Sequence, residues 1–412
     1  MKIAYLLEGQ EEIRQPPFNG PAVHVRQVIQ ELLHRGHQVR LLARLDGQIW
    51  KSDDLIHFDG LSAVALDGGW QRLAEKAIRK TQTILKMPYW GYFESLRFAQ
   101  ACQRELVGCD VFLERFAWMN YGGLLAARRM NIPWVTEYNG NPLADLTAKK
   151  ADPQRLQRAI SIRLTRWVLN QADHVIATGD GWQTSCIEDW GAKPEKISVI
   201  ENGTELLQQL DRNRLQAFRD LDPSRPVQIV YLGGFYPWHG IEILLRALCK
   251  VWEGGLQIRL MLIGAGDGMR GAQDLVKDLG LARIVEFTGN LSAAEYAPYL
   301  ANADIGVSPY CGWQEYSGLK LFDYKAAGLA CIASGENGQP KTLHHGKTGW
   351  IVPPCDVDEL SRAILRIAND HSLRRTLGRS ARIEAEAEHG WDRTTDKIEE
   401  LLVKIKAKRG NR

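Results

Sequence analysis

Along the 412-residue chain the hydrophobic positions fall in short β-branched runs. Each run leads into a Gly- or Asn-containing turn and then into a stretch with apolar residues at helical spacing. Repetition of that unit predicts a parallel sheet covered by helices on both faces. In the first half the predicted strands are Ile3 to Leu7, Gln38 to Ala43, Val111 to Leu113, Trp134 to Glu137, His174 to Ala177 and Ile197 to Ile200. Val23 to Arg35 reads as a helix stopped by Gly36, a residue that readily takes the left-handed turn beyond a helix. From Glu205 to Pro226 the chain is polar, lacks a strand pattern and closes on Asp222-Pro223-Ser224-Arg225-Pro226, which reads as a linker.

A second series then begins, with strands predicted at Gln228 to Leu232, Arg259 to Ile263, Ile284 to Phe287, Ile305 to Val307, Ala330 to Ala333 and Trp350 to Val352. The tail from Val357 is helical, bends near Trp391 and ends on the bases Lys404, Lys406, Lys408 and Arg409. The expected organisation is α/β: two doubly wound domains, 1–205 and 206–392, with a last helix over 393–412 returning to the first. Ligands of such sheets bind at the carboxyl ends of the strands. The length agrees, because single cores stop growing beyond about 250–300 residues.

Composition narrows the class. Hydrophobic residues make up 45% and charged residues 25%, a globular balance. No apolar run reaches the ~18 residues of a membrane span, and the opening strand lacks the core and cleavage site of a signal peptide, so a cytoplasmic location is expected. The seven cysteines sit mostly in apolar segments without metal-type spacing, so neither disulfides nor a zinc site are expected. A net charge of +3 gives no reason to expect nucleic acid. Between Arg72 and Arg104, however, Arg72, Lys76, Arg79, Lys80, Lys86, Arg97 and Arg104 outnumber the acids, with Met87, Tyr89, Trp90, Tyr92 and Phe93 among them. Two readings stand: a solvated helix face with its aromatics packed inward, or a peripheral membrane or acceptor-binding patch.

Candidate chemistry concentrates in Gln314-Glu315-Tyr316-Ser317-Gly318-Leu319-Lys320-Leu321-Phe322-Asp323. A strand ending near Pro309 leads into a loop carrying Glu315, and a helix beginning at Gly318 or Leu319 carries Asp323 about one turn inside. The helix start offers backbone N–H groups and a positive dipole end suited to a diphosphate, and Lys320 adds a full charge.

Two carboxylates separated by seven residues around a Leu-Lys-Leu-Phe core resemble the motif of retaining glycosyltransferases of family 4, the group 1 glycosyl transferases. The resemblance implies the GT-B architecture, two Rossmann-like domains facing across a cleft. It also implies transfer of a sugar from a nucleotide-sugar to a hydroxyl acceptor, with retention and without a metal or other cofactor. Glu315 takes the role of contacting the donor sugar near its reacting carbon, and Asp323 that of holding the ribose, although the family usually has Glu there, longer by ~1.5 Å. Ser317, Gly318 and Leu319 fall on the donor-binding helix start.

Further motifs extend the likeness. Asn19-Gly20-Pro21 resembles the N-terminal glycine loop, with Asn19 replacing its first glycine and Gly20 allowing close approach to the donor. Asn202-Gly203-Thr204-Glu205 is similar to the family's hinge segment, and the stretch from Leu343 to Pro354 to its late glycine-flanked strand. In Gly233-Gly234-Phe235-Tyr236-Pro237-Trp238-His239-Gly240 the family usually has Arg at the position of Gly234 and Lys at that of His239, two cations that grip the leaving diphosphate. With both replaced, the remaining donors are backbone N–H groups of Gly233, Gly234 and Gly318, Lys320, and His239 if protonated. Trp238 reads as a packing aromatic. Gly264-Ala265-Gly266-Asp267-Gly268 reads as a strand-end loop and not a dinucleotide fingerprint, and Gly289 falls where such enzymes hold the base.

In the first domain Asn139 stands where many members have a His facing the sugar; its amide bonds hydrogen but does not shuttle protons. Glu137 and Arg115 are candidate acceptor contacts, and a Glu114–Arg115 salt bridge positioning the loop is an equal reading. The resemblance implies front-face substitution, in which the departing diphosphate oxygen helps deprotonate the acceptor. The donor expected is a UDP- or GDP-sugar, and the acceptor a carbohydrate or lipid-linked hydroxyl in polysaccharide, glycolipid or cell-envelope synthesis. Two rivals remain: a degenerate, non-catalytic GT-B subunit, and a nucleotide-sugar epimerase or hydrolase.

Overall fold

The computed structural model describes the chain apart from residues 10, 17, 62–68, 85–90, 149–152, 154, 211–224, 313–317, 339 and 411–412. It divides into two compact units, the first formed by Met1–Glu201 with Thr394–Arg412 and the second by Asn202–Arg393.

In the first unit the order is β1 (Lys2–Leu7), α1 (Gly20–His34), β2 (Gln38–Leu45), β3 (Gln48–Ser52), β4 (Asp59–Gly60), α2 (Gly69–Ile84), α3 (Tyr92–Glu105), β5 (Val111–Arg115), α4 (Gly122–Met130), β6 (Trp134–Tyr138), α5 (Pro142–Ala148), α6 (Arg155–Gln171), β7 (His174–Ala177), α7 (Asp180–Glu188) and β8 (Ile197–Val199). The second unit has α8 (Leu206–Gln209), β9 (Val227–Leu232), α9 (Ile241–Glu253), β10 (Ile258–Ile263), α10 (Met269–Asp278), β11 (Val285–Gly289), α11 (Ala293–Asn302), β12 (Ile305–Ser308), α12 (Leu319–Ala326), β13 (Ala330–Ser334), β14 (Gly349–Val352), α13 (Val357–Asn369) and α14 (His371–Glu388); α15 (Trp391–Gly410) follows. The first sheet runs β4-β3-β2-β1-β5-β6-β7-β8 and the second β11-β10-β9-β12-β13-β14.

All twelve predicted strands are present, because a strand buried on both faces shows as a near-continuous apolar run. Tyr5, Leu6, Phe112 and Val135 are buried in the first sheet, and Tyr231, Leu262, Val307 and Ile332 in the second. The antiparallel edge β3–β4 was not predicted. Its signal was Asp46-Gly47, which take φ values of 53° and 77° in the turn that pairs β2 with β3, the left-handed conformations of a tight hairpin.

Three expectations are corrected. Helix α1 starts at Gly20 and not Val23, since Asn19 Oδ1 accepts the Ala22 N–H at 2.9 Å and Pro21 suits a first turn. The stretch read as a linker from Glu205 opens with α8, which buries Leu206 and Leu210 in the second unit. The cysteines are not all thiols: Cys311 and Cys355 form a disulfide with Cα atoms 4.7 Å apart. The loops after β12 and β14 meet at one edge of the sheet, a juxtaposition that a separation of 44 residues does not reveal.

From Thr394 onward α15 belongs to the first unit. It buries Ile398, Leu402 and Ile405, and Arg35 Nη1 reaches Asp396 Oδ1 at 2.6 Å and Glu399 Oε2 at 3.0 Å.

Candidate functional site

In the second sheet β9 and β12 are neighbours from which the chain departs in opposite directions, so the loops that follow them separate at the carboxyl edge. This is the switch point where open α/β sheets bind ligands. The strand ends come together because glycines remove the obstacles. A Cβ on Gly264 would stand 2.0 Å from the Gly233 carbonyl oxygen. The Gly233 N–H bonds the Ile263 carbonyl at 2.9 Å, and that of Gly264 bonds the Gly289 carbonyl at 2.8 Å. Gly233, with φ at 142°, and Gly289, with φ at 75°, occupy backbone that a side chain disfavours.

On the β12 side, Gly318 caps α12 with φ at 30° and without a capping side chain. Lys320, in the first turn, is only 8% exposed. Its Nζ lies 4.4 Å from the centroid of the Tyr310 ring and 5.2 Å from that of Tyr231, within cation–π range. Leu319 beside it is exposed. His239 completes the cluster: Nδ1 is 2.6 Å from the Gly234 carbonyl and 3.0 Å from the Tyr231 hydroxyl, and Nε2 is 3.2 Å from the Tyr310 hydroxyl. Burial, then the charge of Lys320, pushes His239 down to about 3, while the Gly234 carbonyl pulls the other way. The ring is therefore neutral at physiological pH, which corrects the expectation that a protonated His239 could replace a lost cation. At Gly234 a Cβ would stand 2.6 Å from Tyr236 Cε2, so without moving that ring there is no room for the expected arginine.

Asp323 lies further along α12. Its Oδ1 accepts from the Thr204 hydroxyl at 2.6 Å and its Oδ2 from Tyr296 at 3.0 Å. Burial raises its pKa to about 6; the two hydroxyls lower it, and Glu205 raises it. In the sequence Thr204 reads only as part of a hinge-like segment and Tyr296 carries no local motif; only the fold brings them to the carboxylate. Glu315 and Ser317 lie outside the described residues. Among those described, no group of three or more His, Cys, Asp and Glu is placed to hold a metal ion.

The remaining named residues belong to the first unit. Gly20 is exposed at the first position of α1. Asn139 Nδ2 donates to the Glu137 carbonyl at 3.2 Å. Glu137 itself is fully buried: Oε1 lies 3.0 Å from His24 Nε2, and Oε2 accepts a short bond from the Tyr5 hydroxyl. Burial alone would raise its pKa, but His24 and Tyr5, with Arg115 nearby, hold it below the usual carboxylate range. The acceptor role expected of Glu137 is thereby corrected, since both oxygens are taken inside the fold.

Glu114 does not pair with Arg115 as one reading had it. It accepts from Trp134 Nε1 at 2.5 Å and fills the space left by the missing side chain of Gly123. Arg115 is half-buried, and its Nη1 has no hydrogen-bond partner among the described residues. Glu8, unremarked in sequence, accepts from Ser95 Oγ and the Gly122 N–H, each at 2.7 Å, and burial raises it to about 7.

Helix α2 turns an unusual face outward. Its Glu75 and Arg79 are engaged with Arg97 and Glu94 of α3, while Leu73, Ile78 and Ile84 are 69%, 45% and 68% exposed beside exposed Lys76 and Lys80. Tyr92 is also exposed, contrary to aromatics packed inward, and Met87, Tyr89 and Trp90 lie outside the described residues. No described helix is long and apolar enough to cross a membrane.

The family described as Glycosyltransferase Family 4 matches residues 18–206, and that described as Glycosyl transferases group 1 matches residues 226–370. A D-inositol 3-phosphate glycosyltransferase from Kribbella flavida is 25% identical over 74% of this chain and 76% of its own length. The sucrose-phosphate synthase from Thermosynechococcus elongatus superposes with a TM-score of 0.74 at 23% identity, covering 98% of this chain and 99% of that one. Anabaena Alr3699/HepE, solved in complex with UDP and glucose, gives a TM-score of 0.71 at 19% identity over 98% and 99% of the two chains. With both domains matched and the two-sheet architecture shared, the chain belongs to the family 4 glycosyltransferases of group 1 and has the GT-B fold.

Proposed function

We propose that the protein is a retaining, metal-independent glycosyltransferase whose second unit binds a UDP- or GDP-sugar. The observation that carries this reading is the cluster at the β9–β12 switch point. There Lys320 stands in the first turn of α12, among the glycine strand ends and beside a neutral His239. A nucleoside diphosphate leaves with growing negative charge, and a cation together with backbone N–H groups at a helix start stabilises that charge. Gly234 and Gly318 supply backbone at the diphosphate, while Gly233, expected to donate there, has its N–H taken by the Ile263 carbonyl and gives only the turn; Gly289 approaches the base, and Asp323 faces the ribose through the lone pairs that Thr204 and Tyr296 leave open. Glu315 is assigned to the donor sugar and Ser317 to the donor by their places in the motif. In the first unit Gly20 and Asn139 are the sugar-side groups and Arg115 the acceptor-side cation. The resemblance implies front-face substitution, with the leaving oxygen drawing the acceptor proton, and Asn139, which cannot shuttle one, is compatible with it.

The test is thermal stabilisation by a panel of nucleoside diphosphates and their sugar conjugates, since a ligand at 100 times its dissociation constant adds about 2.7 kcal/mol. One selective base, with a further gain from one sugar, names the donor. Product then formed with the donor's anomeric configuration, undiminished by EDTA and abolished in Glu315→Gln, supports the mechanism; no response to any member supports the non-catalytic subunit instead.

The acceptor assigned is a carbohydrate or lipid-linked hydroxyl in glycan or glycolipid synthesis, met at the cytoplasmic membrane face. The outward Leu73, Ile78 and Ile84 flanked by Lys76 and Lys80 support peripheral contact with anionic lipid. Co-sedimentation with phosphatidylglycerol vesicles should fall in Leu73→Glu/Ile84→Glu and with added salt. Equal sedimentation of variant and wild type would remove the membrane contact.

A further inference from the structure

The disulfide between Cys311 and Cys355 adjoins the cluster around Lys320. Cys311 follows Tyr310, whose hydroxyl meets His239 Nε2 at 3.2 Å and whose ring lies 4.4 Å from Lys320 Nζ. The Cys311 N–H donates to the Trp238 carbonyl at 3.0 Å. Pro309 presses so closely on Gly240 that a Cβ there would stand 1.6 Å from its carbonyl oxygen. Residues 309–311 are thus held on one side by the backbone of 238–240 and on the other by the sulfur bridge.

The second cysteine is placed at a cost. Cys355 has φ at 60°, a left-handed backbone that a Cβ disfavours and glycine takes freely. It precedes Asp356, whose Oδ1 caps α13 by accepting the Glu359 N–H at 2.9 Å. A cysteine at a glycine-like turn, facing another cysteine on a neighbouring loop, indicates that the sulfur itself is used. In a reducing compartment such a bridge is characteristically transient and redox-sensing.

We infer that Cys311 and Cys355 are a thiol–disulfide site that tunes donor binding: the oxidised pair braces Tyr310 against His239 and Lys320, and reduction releases it. The inference rests on the donor-site reading above. In the switching step a dithiol reductant gives two electrons and two protons to the bridge. The S–S bond breaks, Cys311 and Cys355 become thiols, and the reductant becomes a disulfide.

The experiment uses the full chain, purified without reductant, then split into an oxidised sample and one reduced with dithiothreitol. Iodoacetamide labelling and mass spectrometry should find Cys311 and Cys355 blocked in the first and labelled in the second. Calorimetry with UDP and GDP should show affinity for the preferred nucleotide falling about fivefold on reduction, the loss of one hydrogen-bond-sized contact. Cys355→Gly, which suits the left-handed turn and so keeps the fold, should bind like the reduced wild type and ignore dithiothreitol. Labelling of both cysteines in the oxidised sample, or equal affinity in both states, would overturn the inference while leaving the donor site standing. Absence of nucleotide binding in either state would overturn the donor-site reading, and this inference with it.

Discussion

Lys320 holds its ammonium 4.4 Å from the centre of the Tyr310 ring, and the same tyrosine's hydroxyl meets His239. One aromatic side chain therefore links the cation of the α12 first turn to the imidazole of the loop after β9. Where the family usually has two cations this chain has Gly234 and His239, and burial together with Lys320 holds the imidazole neutral.

It follows that Lys320→Ala should lower kcat at saturating donor by about a hundredfold, the size of effect seen when one preorganised donor is lost from a charge-stabilising site. Lys320→Arg should recover part of it. Steady-state rates with the donor identified by the stabilisation panel check this; unchanged turnover in Lys320→Ala would remove Lys320 from the leaving-group role.

The depressed His239 has a consequence for acid stability. An ordinary histidine gains its proton near 6.5, whereas this one holds off until about 3 in the fold. Between those values the unfolded chain binds the extra proton, so His239 makes the protein lose stability as pH falls. His239→Gln should flatten that part of the curve. Thermal unfolding from pH 7 to pH 4 should show the variant losing less stability than the wild type, and parallel curves would contradict the neutral ring.

Glu137, locked between His24 and Tyr5, is an internal brace. Removing one partner from a buried charged set costs roughly 3–5 kcal/mol, so Glu137→Ala should lower the unfolding free energy obtained from urea denaturation by that order. Glu137→Gln, which keeps the shape and some of the bonds, should cost less. A stability equal to wild type in Glu137→Ala would show the carboxylate to be dispensable.

The parallel strands of both sheets were legible because buried parallel strands show themselves as apolar runs, and α12 because Gly318 and its neighbours mark a start. The glycines at 233 and 289 are read from the resemblance as donor-site positions, and both occupy backbones that a side chain disfavours. Left to the sequence, the chain determines a repeating strand–helix order, the two sheets and the motif residues that follow particular strands. These depend on local periodicity and on residues a few positions apart.

What only the tertiary structure decided depends on distant groups. The neutrality of His239 comes from its burial and from Lys320, which lies 81 positions away in the sequence. Glu137 is claimed by His24 and Tyr5 from other elements, Asp323 by Thr204 and Tyr296, and Cys311 by Cys355 across β13. A side chain's type states what it can donate, accept or bond; its charge and availability depend on desolvation and on neighbours that only folding brings within a few ångströms.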